Sequence, residues 1–243
     1  MELGNYFPIM KKAFVITLIA LFGISMLVNA QTQVYPKERV VTKFLGIPVD
    51  GTKKEMTQKL INKGYDYNNT YDYLEGEFNG YSVKIHIVTN NNKVYRILVE
   101  DAYPINESDI KIRFNRLCKQ FDNNDRYISL SNYELSEQED ISYEMSVHNK
   151  RYEASYYQID KTIDSITIAK EIQGFIYDKY GNDKNLDNLT DLEKQSVVCD
   201  YLLYYIEKFS KNSVWFMINE KYGKYQILMY YDNGYNQANG EDL

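Results

Sequence analysis

Tyr71-Asp72-Tyr73-Leu74-Glu75-Gly76-Glu77-Phe78-Asn79-Gly80-Tyr81-Ser82-Val83-Lys84-Ile85-His86-Ile87-Val88-Thr89 contains two strands and the turn between them. A two-residue hairpin turn puts both central residues at positive φ, and Asn79-Gly80 tolerates that better than almost any other pair. After the turn, Val83, Ile85 and Ile87 point one way and Ser82, Lys84 and His86 the other, so one sheet face is buried and one is wet. Asn90-Asn91-Asn92 makes a second turn, and residues 94–100 return as a third strand. The result is an antiparallel meander.

Residues 39–44 form a β-branched strand upstream of it, and Gly46-Ile47-Pro48-Val49-Asp50-Gly51 is a turn-rich connector. Thr52 with Glu55 three residues on is a capping box; Met56, Leu60 and Ile61 form an apolar stripe, and Gly64 stops the helix. Downstream, Asn106 caps a helix over 107–121. The polar link 129–140 precedes a hairpin of 141–147 and 151–158 around His148-Asn149-Lys150. Helices follow at 167–180 and, capped by Thr190, to residue 209. Residues 213–219 and 225–231 close as a last hairpin. This order predicts an α+β protein with antiparallel sheets and helices packed on one face. Its segments fall into a signal at 1–30, an α+β half at 31–128 and a second at 129–243, the halves being two domains or parts of one.

At the N-terminus, Lys11-Lys12, an apolar run over 13–27 and Val28-Asn29-Ala30 before Gln31 have the order of a cleaved secretory signal. Met10 fits the start of such a signal, and Gln31 the start of the mature chain. The run is shorter than the about 20 apolar residues of a membrane span. Gln31 also lacks the thiol of a lipoprotein junction. The expectation is an exported protein, periplasmic or secreted, with no membrane span after cleavage. An uncleaved anchor is the alternative.

The chain carries 28 Lys and Arg against 34 Asp and Glu, a net charge of −6, and removing the signal makes it one unit more negative. No basic run longer than a pair follows residue 31. Nucleic acid and anionic membranes, both of which select basic clusters, are excluded as expected partners. Cys118 and Cys199 both fall at apolar helix positions, which fits either two buried thiols or a long-range disulfide.

The stretch Phe44-Leu45-Gly46-Ile47-Pro48-Val49-Asp50-Gly51-Thr52, the helix exit Lys63-Gly64-Tyr65, the hairpin Leu74-Glu75-Gly76-Glu77-Phe78-Asn79-Gly80-Tyr81 and the closing Tyr230-Tyr231-Asp232-Asn233 resemble a group of exported Bacteroides-type proteins. That group's helix-plus-antiparallel-sheet plan is similar to the beta-lactamase inhibitor protein and other small exported modules. The resemblance implies a scaffold and carries no catalytic residue.

The chemistry-bearing residues are sparse. Two histidines, His86 and His148, lie far apart in sequence, and there is no cysteine pair at zinc spacing, no Gly-x-Ser-x-Gly elbow and no phosphate-cradling glycine loop. Oxygens at Asp183, Asn185, Asp187 and Asp191 repeat the 1, 3, 5, 9 spacing of a calcium loop, but Asn188 stands where the loop wants Gly and Lys194 where it wants Glu. Calcium is the one cofactor this pattern suggests; a capping loop is the alternative. Glu75 and Glu77 share a strand face and Asp72 lies on the other, the only hint of a hydrolase with a carboxylate site. The compositional oddity is 25 tyrosines. Tyrosine offers flat apolar area with a hydroxyl, which suits either a sheet interior or recognition. Tyr65, Tyr67, Tyr71 and Tyr73 are the candidate recognition residues. The expectation is a non-enzymatic binding module for a protein or glycan partner, with the hydrolase as the competing class.

Overall fold

The computed structural model describes residues 39–159 and 165–238, so the targeting segment at 1–30 lies outside the described residues. In chain order the strands are β1 (Lys43–Phe44), β2 (Ile47–Pro48), β3 (Asp66–Asn68), β4 (Tyr73–Phe78), β5 (Tyr81–Asn90), β6 (Lys93–Asp101), β7 (Tyr127–Ser129), β8 (Glu153–Gln158), β9 (Ser213–Lys221) and β10 (Lys224–Asp232). The helices are α1 (Lys53–Ile61), α2 (Glu107–Asp122), α3 (Ile141–His148), α4 (Ser165–Tyr180) and α5 (Asp191–Ser210). The fold is α+β.

Eight strands form one antiparallel sheet in the order β3-β4-β5-β6-β10-β9-β8-β7. Each half of it is a four-strand meander preceded by a helix, α1 for β3–β6 and α2 for β7–β10, and the halves join where β6 pairs β10. The Asn79-Gly80 turn has φ of 54° and 78°, and Asn91-Asn92 has 47° and 61°, the left-handed values these turns demand. At α1 the capping box is complete: Glu55 N donates to Thr52 Oγ1 (3.2 Å) and Thr52 N to Glu55 Oε2 (2.9 Å). Asn106 Oδ1 caps α2 by accepting from Asp109 N at 2.9 Å.

Met56 and Leu60 of α1, Phe114 and Leu117 of α2 and Phe44 of β1 share one core with Leu74, Ile85, Val99, Met229 and Phe216 of the sheet. Both helices therefore cover the same sheet face. Arg113 of α2 reaches into this core and makes a two-pronged ion pair with Asp101 at the end of β6, while Ile227 N of β10 donates to the same carboxylate (3.1 Å). Its guanidinium lies 3.4 Å from the centre of the Tyr81 ring. The junction of the two sheet halves is thus pinned by one buried fork.

Contacts divide the chain into two compact units, a sheet unit of Val40–Ile159 with Ser210–Leu243, and one that includes Asp160–Phe209. In the latter, α4 and α5 bury Ile168, Ile172, Ile176, Val197 and Tyr201 around a 3-10 turn at Leu186–Asn188.

Four local expectations are corrected. Residues 141–147 are helix α3, not a strand: Ile141 and Met145 are also four apart, Asp140 Oδ1 accepts from Tyr143 N (2.9 Å), and Asn149 ends the helix at φ 52°. The first strand contracts to Lys43–Phe44, because its partner beyond the Leu45-Gly46 turn is only the two residues Ile47–Pro48. β4 begins at Tyr73 rather than Tyr71, since Asp72 sits at φ 59°. Both cysteines are free, Cys118 buried and Cys199 exposed, so neither the disulfide nor the second buried thiol is present.

Candidate functional site

Alternation along the strands that bury Ile85, Val99, Met229 and Phe216 sends their neighbours to the opposite face. The register sets these side chains in rows across the sheet. One row runs Tyr73, His86, Leu98, Tyr230, Trp215, Ser155; a second runs Glu75, Lys84, Glu100, Leu228, Met217, Glu153. None of these residues belongs to the core, and the apolar ones are half-buried. This open face is the candidate site.

Its centre is a cluster built from β6, β9 and β10. Arg96 grips Asp232 with two prongs, Nε to Oδ1 (2.6 Å) and Nη2 to Oδ2 (2.8 Å), and Trp215 Nε1 donates to the same carboxylate (3.0 Å). Trp215 and Tyr230 stack with centroids 3.9 Å apart and planes 13° off parallel. The Arg96 guanidinium lies 4.9 Å from the Tyr230 ring, 5.6 Å from Trp215 and 5.7 Å from Tyr95, within cation–π range of all three. Hydrogen bonding to Asp232 holds the Arg96 proton more tightly than usual, and burial pushes the Tyr230 hydroxyl up. Next to this cluster, His86 Nε2 lies 3.2 Å from Glu100 Oε2, and Gln226 Nε2 donates to Glu100 Oε1 (2.8 Å). The His86 contact first, then Gln226, keeps the Glu100 carboxyl below its ordinary range despite burial.

The four candidate tyrosines separate. Tyr65 is in the core at 6% exposure; its ring lies against Gly76, where a Cβ would come within 2.5 Å, and its hydroxyl donates to Glu77 O (3.0 Å). It closes the stretch of β4 beyond the end of β3 and offers nothing to a partner. Tyr67, beside it on the helix-covered side, donates to Asp72 Oδ1 (2.8 Å), and that carboxyl is held low by Lys53 and Tyr67. Tyr71 is 69% exposed and stacks on Tyr73, with centroids 6.0 Å apart. Tyr73 in turn contacts His86 (5.6 Å) and the Lys84 ammonium (5.2 Å). Tyr71 and Tyr73 therefore extend the open face, whereas Tyr65 and Tyr67 do not.

The calcium pattern does not assemble. Asn185 Oδ1 accepts from the backbone N–H groups of Asp187 (3.0 Å) and Asn188 (3.2 Å), and Asn188 Oδ1 accepts from Asn185 N (2.8 Å). Thr190 and Glu193 form a capping box at the start of α5. The asparagine oxygens serve the loop's own backbone, and among the described residues no group of three or more His, Cys, Asp or Glu could hold a metal ion. Of the four positions Asp183, Asn185, Asp187 and Asp191, Asn185 caps the turn at Leu186–Asn188, and Thr190 caps the helix that Asp191 begins.

Glu75 and Glu77 lie exposed on β4, and Lys84 stands between Glu75 and Glu100 in their row. A depression of about 190 Å³ on the other side of the sheet, lined by Phe78, Leu117, Phe121, Tyr127 and Tyr231, is smaller than usual ligand pockets (about 300–1,000 Å³). No helix among the described residues is long and apolar enough to cross a membrane. No family model matches the chain, nor does any curated protein or solved structure.

Proposed function

We propose that this chain is an exported, non-enzymatic binding module that takes a protein partner on the open face of its sheet. The observation that carries the reading is the row Tyr73, His86, Leu98, Tyr230 and Trp215, extended at one end by Tyr71, a line of mostly large apolar and aromatic side chains outside the core. Interfaces place such side chains at their centre with a polar rim, here Glu75, Glu77 and Glu153. Sugars stack on ring faces, but Trp215 and Tyr230 spend theirs on each other and on Arg96. That favours a protein over a glycan. A hydrolase built on Glu75 and Glu77 would need a cleft around them, and both lie exposed on β4. Export rests on the order of charged, apolar and small residues over 11–31, and on the scaffold resemblance.

Trp215 is the only tryptophan, so its emission reports on the open face directly. A displayed library of protein fragments selected on the wild-type chain should yield binders that shift this emission and are lost on Leu98→Glu. Binders indifferent to Leu98→Glu, or saturable glycan binding abolished by Tyr71→Ala, would replace the reading. N-terminal sequencing of the exported chain should begin at Gln31.

A further inference from the structure

On the helix-covered side of the sheet, the depression of about 190 Å³ lies over Met229 and Tyr231 of β10, between the β4–β5 turn, α2 and β7. Aromatic rings make its walls. Phe78 reaches Tyr231 through Phe44, with centroids 5.4 and 4.8 Å apart, and Phe121 meets Tyr127 edge to face (4.8 Å). Charged residues are 26% of the chain, yet none lines this space. Asn79 and Gln120, exposed in the lining, spend their amides on each other, Nδ2 to Oε1 (2.7 Å) and Nε2 to Oδ1 (3.2 Å).

Two phenols are left with protons to give. Tyr231 is only 5% exposed, and its hydroxyl has no hydrogen-bond partner among the described residues. Buried hydroxyls are normally paired, because leaving one unpaired is costly. Among those residues Asn212 Oδ1 is the sole side-chain atom both sealed from solvent and unpaired. The Tyr231 hydroxyl is therefore not sealed, and the space its residue lines is the depression. Tyr127 Oη accepts from Gln158 Nε2 (3.0 Å), which leaves its own proton uncommitted. Burial pushes both phenols up, so at neutral pH each keeps its proton and can donate.

We propose that this depression is a binding site for a small neutral aromatic molecule that carries a carbonyl oxygen. The walls offer faces and edges to a ring. A carbonyl oxygen has two lone pairs, which suits the two donors Tyr231 and Tyr127. The uncharged lining rejects a carboxylate or an ammonium, which would lose its hydration with nothing to offset the loss. Volume sets the size: a drug-sized ligand does not fit, but an apolar cavity of about 150 Å³ holds benzene, so one ring with a short substituent does. The site lies on the face opposite the proposed protein-binding surface and does not rest on that reading.

Methionine methyl resonances of the purified, isotope-labelled chain test it, because Met229 lines the depression and Met217 lies on the open face. Acetophenone should shift the Met229 methyl and leave that of Met217 in place, with a Kd of about 1 mM or below. Toluene, which has no acceptor, should bind about threefold to tenfold more weakly, the usual worth of a hydrogen bond. Benzoate should shift nothing. Tyr231→Phe removes only the unpaired hydroxyl, so its melting temperature should stay near wild type, while acetophenone binding falls by a similar factor and toluene binding does not. A Met229 resonance that acetophenone leaves in place would overturn the proposal, since water alone would then fill the space. Benzoate binding as tight as that of acetophenone would do the same, as would a folded Tyr231→Phe that keeps wild-type affinity for acetophenone. Should that variant fail to fold, the wild-type comparison decides, and equal affinities for acetophenone and toluene would sink the site. None of these results bears on the open face, whose test uses Leu98 and Trp215.

Discussion

Two arginine–aspartate forks, one on each face of the same sheet, differ in what surrounds them. Arg113–Asp101 lies on the helix-covered face with side-chain exposures of 4% and 6%; Arg96–Asp232 lies on the open face at 26% and 4%. The first is closed in by α2, the Tyr81 ring and the backbone of β10. The second is shared with Trp215 and surrounded by ring faces, and solvent reaches its arginine. A buried pair is a weak source of net stability but is damaging to break, whereas a half-exposed pair loses part of its cost to water. The covered fork is therefore a clamp, and the open one orders a surface.

Substitutions can break that contrast. Arg113→Ala strands Asp101 in the core and should cost about 3–5 kcal/mol in urea unfolding. Arg96→Ala leaves the buried Asp232 the Trp215 donor and lets water in where the partly exposed arginine stood, so about 1–3 kcal/mol is expected, with a shift in Trp215 emission that Arg113→Ala does not produce. An equal cost for the two would erase the distinction between the faces. Glu100 sharpens it through pH. Its folded carboxyl ionises below its unfolded range, so its contribution is present above that range and is lost as pH falls through the folded value. Glu100→Gln should flatten the acid side of the urea-midpoint profile, and an unchanged slope would mean that His86 gives it nothing. The smallest effect belongs to Tyr71→Ala, within about 0.5 kcal/mol of wild type, because its ring stands in solvent. Tyr65→Ala should cost far more, about 3–5 kcal/mol, since its ring is core.

Much of the fold is legible because its signals are local. Asn79-Gly80, Asn91-Asn92, the Thr52–Glu55 box and the Asn106 cap each fix a turn or a helix start within a few residues. Helix α3 reads as a strand in the sequence because Ile141-Ser142-Tyr143-Glu144-Met145 satisfies a period of two and a spacing of four equally well, and the choice is made by Asp140 and Asn149 at its ends. β7 was hidden because three residues in a polar stretch carry no period. The open-face cluster was illegible for a different reason. Trp215 and Tyr230 could be paired from the last hairpin alone, but Arg96 joins them only because β6 pairs β10, a contact that no local pattern announces. The tyrosine pattern reaches Tyr71 and Tyr73 at the border of this face but points equally to Tyr65 and Tyr67, which lie on the other side, whereas Leu98, Tyr230 and Trp215 are singletons in separate strands.

That β6–β10 pairing also sets a timetable. Gln226 and Glu100, neighbours across the seam, are 126 residues apart in the chain. Closing so long a loop is entropically costly, and contacts of this kind slow folding. The strand that ends at the middle of the sheet is also the last one made. While β3 to β6 emerge, the inner edge of that half stays open, because its neighbour does not yet exist. The sheet cannot be completed before β10 leaves the ribosome, so its two halves meet only once the chain is nearly all made.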